Sequence, residues 1–193
     1  VQILYKLLLS LFCKSRYKIL LMKFLNIKLI ILIFLASSIN AFAVIDVIHL
    51  GSFGKGKNWQ AKQYGDGSSK VCYIVSTPIK TNPDGLNRGE HALMISNFMG
   101  DNTRHEPSVD TGFTFKPKST VEVIIKDNQY KFFTLENRAW LADGQNGKKL
   151  IKDMKNGARV LVKSVSSRGT KITDTYSLIG FTKALEAIDK ACS

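Results

Sequence analysis

The densest run of potentially reactive side chains is Ser166-Ser167-Arg168-Gly169-Thr170, followed by Asp174-Thr175-Tyr176-Ser177. It combines hydroxyls, a cation and a carboxylate within a dozen positions. A serine nucleophile needs a base, usually histidine, and an oxyanion hole. No G-x-S-x-G elbow surrounds either serine, and Gly169 follows Arg168 instead of bracketing a nucleophile. A hydrolase centred on Ser166, Ser167 and Asp174 is therefore the alternative reading. The plainer expectation is a hairpin turn braced by an Arg168–Asp174 ion pair, worth about 0–1 kcal/mol if exposed. Between the two stands a candidate binding loop of Ser166, Ser167, Arg168, Thr170, Asp174 and Tyr176.

Other chemistry is thinly represented. His49, His91 and His105 show no H-x-H or H-E-x-x-H spacing. His105-Glu106 could hold a metal weakly, but a surface histidine is the expectation, so no metal site is assigned. Gly51-x-x-Gly54-x-Gly56 lacks the Lys-Ser/Thr end of a phosphate cradle. No cofactor and no catalytic residue is expected. Trp59 and Trp140 are expected in the core, where large aromatics fill the space between layers. Met94, Met99 and Met154 are expected beside them as filler.

Cys72 and Cys192 are expected to pair, with two buried free thiols as the alternative. The expectation rests on the compartment, because an exported chain meets an oxidising space. Export is suggested by residues 22–43, MKFLNIKLIILIFLASSINAFA. Lys23 and Lys28 make a basic start, Leu29 to Ala36 is apolar, and Ala41-Phe42-Ala43 is an A-x-A cleavage site. The stretch falls short of the ~20 apolar residues of a membrane span. An uncleaved anchor is the alternative. Residues 1–21 begin with Val1 and read as a mis-called upstream extension before Met22, or else as a longer n-region. Residues 44–193 are expected to be the mature product.

The chain has 28 Lys and Arg against 15 Asp and Glu, a net of +13. Six of the basic residues and none of the acidic ones precede residue 44, which leaves +7 on residues 44–193. That charge suits a solubilising surface or an anionic partner such as a lipid head group, lipopolysaccharide or a host glycan. No nucleic-acid motif is present, and membrane contact is expected to be peripheral only.

The elements that must position these residues are mostly strands. From Lys70 to Ser76, Cys72, Ile74 and Ser76 share one face and Val71, Tyr73 and Val75 the other. Further strands are expected at residues 91–98, 121–125, 130–135, 159–165 and 172–178, with alternation also at 112–115. Residues 51–57 and 100–110 read as loops, residues 78–85 as a break and turn, and Asp127-Asn128 as a hairpin turn. Helical spacing appears at 148–156, capped by Gly157, and at 181–192, where Phe181, Leu185, Ile188 and Cys192 lie on one face. That face would carry Cys192 to Cys72 on its strand. The fold class is mainly β: a single-domain β-sandwich or small barrel with two short helices, the C-terminal one packed on the sheet. A disulfide there would close a loop of roughly 120 residues, worth roughly 4–5 kcal/mol by chain entropy.

The order of the motifs adds a resemblance. Trp59, Cys72-Tyr73-x-x-Ser76-x-Pro78, Arg88-Gly89, Arg104-x-Glu106-x-Ser108, Gly112-Phe113, Ala139-Trp140 and the 150–157 helix are followed by Ser166-Ser167-Arg168-Gly169-Thr170 and Asp174-Thr175-Tyr176-Ser177-Leu178-x-Gly180-Phe181. With the terminal helix from Ala184 to Cys192, this resembles the invasion-associated locus B family over nearly all of residues 44–193. The resemblance implies an exported protein of a Gram-negative bacterium, in the periplasm or outer envelope, contributing to host-cell invasion. It implies no catalytic residues. The partner would be an envelope or host-surface component in a non-enzymatic binding role; a chaperone-like periplasmic module is a further alternative. Two positions depart from the family pattern: Phe113, where Tyr is commoner, and Asp153, where a small apolar residue is expected and helix packing should weaken.

Overall fold

The structure, a computed structural model, describes residues 46–142 and 145–193. The leader, its cleavage site and the upstream extension lie outside the described residues. The described residues form one compact unit.

Eleven strands make a single antiparallel sheet in the order β1-β2-β3-β5-β6-β9-β8-β7-β10-β11-β4. They are β1 Ile48–Phe53, β2 Trp59–Tyr64, β3 Val71–Ser76, β4 Lys80–Asn82, β5 Ala92–Phe98, β6 Thr103–Asp110, β7 Thr120–Ile125, β8 Asn128–Leu135, β9 Arg138–Leu141, β10 Arg159–Val165 and β11 Lys171–Ser177. Two helices complete the unit, α1 Gly147–Asn156 and α2 Phe181–Ala191. No ladder joins β1 to β4 among the described residues. The small-barrel alternative is therefore set aside for a sheet folded over itself in sandwich fashion.

Alternation sets the inner face. Cys72, Ile74, Leu93, Ile95, Val121, Val123, Phe132, Val160 and Val162 are buried in one continuous core with the helices. The curl brings β2, one place from one edge, to the end of β11, one place from the other. There Trp59, fully buried, donates from Nε1 to the Ser177 carbonyl at 2.8 Å. Its ring meets Phe181 of α2 edge-on at 5.1 Å. Gly180 and Gly54 make the approach possible. Gly180 has φ +93, and a Cβ on it would stand 2.4 Å from Gly54 N; a Cβ on Gly54 would stand 2.2 Å from Ile179 O. Only glycine fits both sides of such a contact.

The C-terminal helix packs on β1, β2, β3 and β5. Phe181, Ala184, Leu185, Ile188 and Cys192 are all buried. Cys72 and Cys192 are bonded, with Cα atoms 6.0 Å apart. Lys70 Nζ donates to the Ala191 carbonyl and Arg104 Nη1 to the Cys192 carbonyl, so two cations close the helix end where its dipole is negative. The first helix buries Leu150, Ile151 and Met154, and Asn146 caps its start by accepting from Lys149 N at 2.8 Å.

Several sequence expectations are corrected. Residues 51–53 continue β1 through a register shift between His49 and Gly51, and β2 and β9 were not anticipated as strands. The polar stretch 100–110 is largely β6, whose ladders to β5 and β9 satisfy a backbone that side-chain polarity had marked as loop. The break after Pro78 holds the short edge strand β4. Conversely, the alternating residues 112–115 form only a single bridge, Phe115 to Ser166. The hairpin turn sits one residue earlier than expected, at Lys126-Asp127, because Asn128 pairs with Ile125. Trp140 and Met94 are not core: both are half-buried on the outer face, whereas Trp59 and Met154 are buried as expected. Asp153 is not left unpaired beside the helix packing it was expected to weaken. Its carboxylate accepts from the Tyr130 hydroxyl at 2.5 Å and from Lys149 Nζ at 2.8 Å, tying α1 to β8.

Candidate functional site

The turn between β10 and β11 is built tightly. Gly169 has φ +86 and donates to the Ser166 carbonyl at 2.8 Å; Ser166 N donates to the Thr170 carbonyl at 3.0 Å. The Ser166 hydroxyl accepts from Thr170 N at 3.1 Å, and Ser167 N donates to the Thr114 carbonyl at 2.8 Å. Ser166 is buried, while Ser167, Arg168 and Thr170 are exposed at the turn. These four residues line a cavity of about 330 Å³ together with Leu86, Asn87, Arg88, Phe113, Thr114 and Ile172.

Asp174 and Tyr176 do not join them. Both point into the core from β11 and are fully buried. Asp174 is held by Arg88, not by Arg168 as the sequence suggested. Arg88 Nη2 donates to Asp174 Oδ1 at 2.6 Å and Nη1 to Oδ2 at 2.8 Å, a two-pronged pair. Thr81 Oγ1 donates to Oδ1 at 2.7 Å and accepts from Arg88 Nη2 at 3.0 Å. The inward position of residue 174 follows from register, since Asp174 faces Val162 on one side and Thr81 on the other. Arg168 lies on the solvent side of the turn and cannot reach an interior carboxylate. Arg88 enters from the segment between β4 and β5. The Tyr176 hydroxyl lacks a hydrogen-bond partner, and burial pushes its ionisation far above the ordinary phenol range. It stays neutral.

This geometry bears on the hydrolase alternative. Both oxygens of Asp174 are already occupied, so it cannot orient a base for Ser166 or Ser167. The three histidines are engaged elsewhere: His49 with Ser52 at 3.1 Å, His91 with the Gly89 carbonyl at 3.0 Å, and His105 with Asp189 at 2.7 Å. His105 is not a free surface residue, since Asn97 also ties its backbone and Asp189 into the same cluster.

Arg88 has a second position. It also borders a larger cleft of about 700 Å³ on the outer face, floored by Tyr73, Val75 and Met94 and rimmed by Lys57, Lys62, Glu90, His91 and Arg138. Arg88, held from behind by Asp174, is thus shared by the linings of two surface depressions. Sequence reasoning found the turn but missed Arg88 as its neighbour. The only signal was Arg88-Gly89 itself, which has no local pattern that ties it to a residue 86 positions away.

Comparison with known proteins places this architecture. Residues 59–189 match the model of the family described as Invasion associated locus B (IalB) protein. The chain belongs to the IalB family. The match spans the sheet from Trp59 through most of α2, so the smaller depression and the Arg88–Asp174 pair fall within the IalB region, as does the larger cleft apart from its edge at Lys57 and Asn58. Among solved structures, invasion associated protein B from Bartonella henselae is similar in fold, with a TM-score of 0.53 and 13% identity over 75% of this chain and 97% of that one. No curated protein sequence matches the chain.

Proposed function

We propose that this IalB-family chain is an exported protein of the periplasm or outer envelope that contributes to host-cell invasion through a non-enzymatic binding role. The family match over residues 59–189 carries the proposal. The Cys72–Cys192 bond supports it, because such bonds form and persist in oxidising compartments. The sequence of residues 22–43 supports export in the same direction. No described helix is long and apolar enough to cross a membrane. Contact with a bilayer would then be peripheral, helped by the +7 charge of residues 44–193.

The test has two parts. Fractionation of the native bacterium with N-terminal sequencing should find the protein in the envelope fraction, beginning near Val44. A strain lacking the gene should enter host cells less often than its parent and recover on complementation. Cytoplasmic protein with residues 22–43 attached, or unchanged entry by the deletion strain, would count against the proposal.

A further inference from the structure

The cavity beside the β10–β11 turn has an uneven chemistry. No Asp or Glu is among the residues that line it. Its polar groups are the hydroxyls of Thr114, Ser166, Ser167 and Thr170, the Asn87 amide and the Arg168 guanidinium, with the Ser166 hydroxyl already accepting from Thr170 N. Arg88, at the base, is already neutralised by Asp174. Arg168 is not: among the described residues it has no carboxylate partner. A guanidinium offers a planar fork suited to the oxygens of a phosphate or sulfate. One wall is apolar, with Phe113 half-buried there and set edge-on to Phe115 at 5.8 Å.

Size narrows the ligand. A volume of about 330 Å³ exceeds a bare oxyanion and lies at the low end for an organic ligand. An apolar wall, neutral hydroxyl and amide groups and one free cation suit a ring with a C–H face, several hydroxyls and one anionic substituent. From this geometry we infer that the cavity binds a sugar carrying a phosphate or sulfate ester. Arg168 holds the ester, Asn87, Thr114, Ser167 and Thr170 meet the ring hydroxyls, and Phe113 packs on the ring face. The same chemistry occurs in phosphorylated sugars of lipopolysaccharide and in sulfated host glycans. The inference rests on the binding role proposed above and names its ligand class.

The oxidised protein from its native cells is titrated by calorimetry with the 6-phosphate and 6-sulfate esters of N-acetylglucosamine and with the neutral sugar. The esters should bind at least about tenfold more tightly than the neutral sugar, as one charge-assisted contact predicts. Arg168→Ala should abolish that difference, and Arg168→Lys should keep part of it. Arg168 is exposed, so neither variant threatens folding. Equal binding of neutral and charged sugars, or unchanged ester binding by Arg168→Ala, overturns the inference. Heparin chains and vesicles containing lipopolysaccharide then separate the two sources: the one whose binding Arg168→Ala weakens supplies the ligand, and loss with neither overturns the assignment. Ester binding that fails while the deletion strain still enters cells poorly removes this site and leaves the broader role standing. Ester binding with normal entry does the reverse.

Discussion

At the residue scale, the position with most at stake is Asp174. A carboxylate without solvent is tolerated only because Arg88 and Thr81 satisfy it. Both members of the ion pair are almost wholly buried, with side-chain exposures of 4% for Arg88 and 0% for Asp174. Such a pair is weak evidence of net stabilisation, since desolvation offsets much of the attraction. Removing one member is another matter, because it strands the other charge. Arg88→Ala should therefore cost about 3–5 kcal/mol in urea unfolding, while Arg88→Met combined with Asp174→Leu should recover much of the loss. A single variant within about 1 kcal/mol of the parent would show that water reaches Asp174 and replaces the guanidinium.

Helix α1 shows how one element is anchored by a group that looks misplaced in the sequence. Asp153 sits where an apolar residue would have packed, yet its carboxylate joins Tyr130 and Lys149 at the helix–sheet boundary. The hydrogen bond from Lys149, then that from Tyr130, holds the Asp153 carboxyl below its ordinary range. The Tyr130 hydroxyl is raised by burial first and by Asp153 second, and Lys149 is raised chiefly by its bond to Asp153. The signs follow from linkage. A lowered carboxyl stabilises the fold above the unfolded value of about 4, and the gain is lost as pH falls through the folded value. A raised tyrosine or lysine stabilises below about 10, and the gain is lost as pH rises further. Asp153→Asn should thus melt below the parent at neutral pH, with the gap closing as the pH falls below the unfolded carboxyl value of about 4. A gap that persists unchanged across that acid range would contradict the assignment.

On the scale of the whole molecule, the disulfide ties the last helical turn to β3, third from one edge of the sheet and 120 positions earlier. A long closed loop restricts the unfolded chain most, and the chain-entropy estimate is roughly 4–5 kcal/mol. Lys70 and Arg104 hold the same helix end through its terminal carbonyls, so the bond does not act alone. Reduction should lower the denaturation midpoint substantially and expose α2 first to hydrogen exchange. A midpoint indifferent to reductant would show that the apolar face of α2 suffices by itself.

The strand at 71–76 was legible because alternation with period two needs no distant partner to be seen, and those at 91–98, 121–125 and 130–135 because short apolar runs between turn residues do not need one either. Both helices are legible for the same reason at period 3.6, and Cys192 on the apolar face of the second points toward Cys72. Strand β6 was not legible: Thr103-Arg104-His105-Glu106-Pro107 carries no apolar alternation, and only pairing with β5 and β9 makes it a strand. The β10–β11 turn is legible from its hydroxyls and Gly169, but the sequence pairs Asp174 with the wrong arginine. Nearness in sequence favoured Arg168, whereas register turns Asp174 inward and the fold delivers Arg88 from the far side. Local patterning thus determined both helices and the strands whose own residues carry an apolar pattern, while the cysteine pairing also needed the oxidising compartment that the leader implies. Which side of the sheet each polar residue faces, and what it meets there, depended on pairings between segments distant along the chain, and only the tertiary structure decided them.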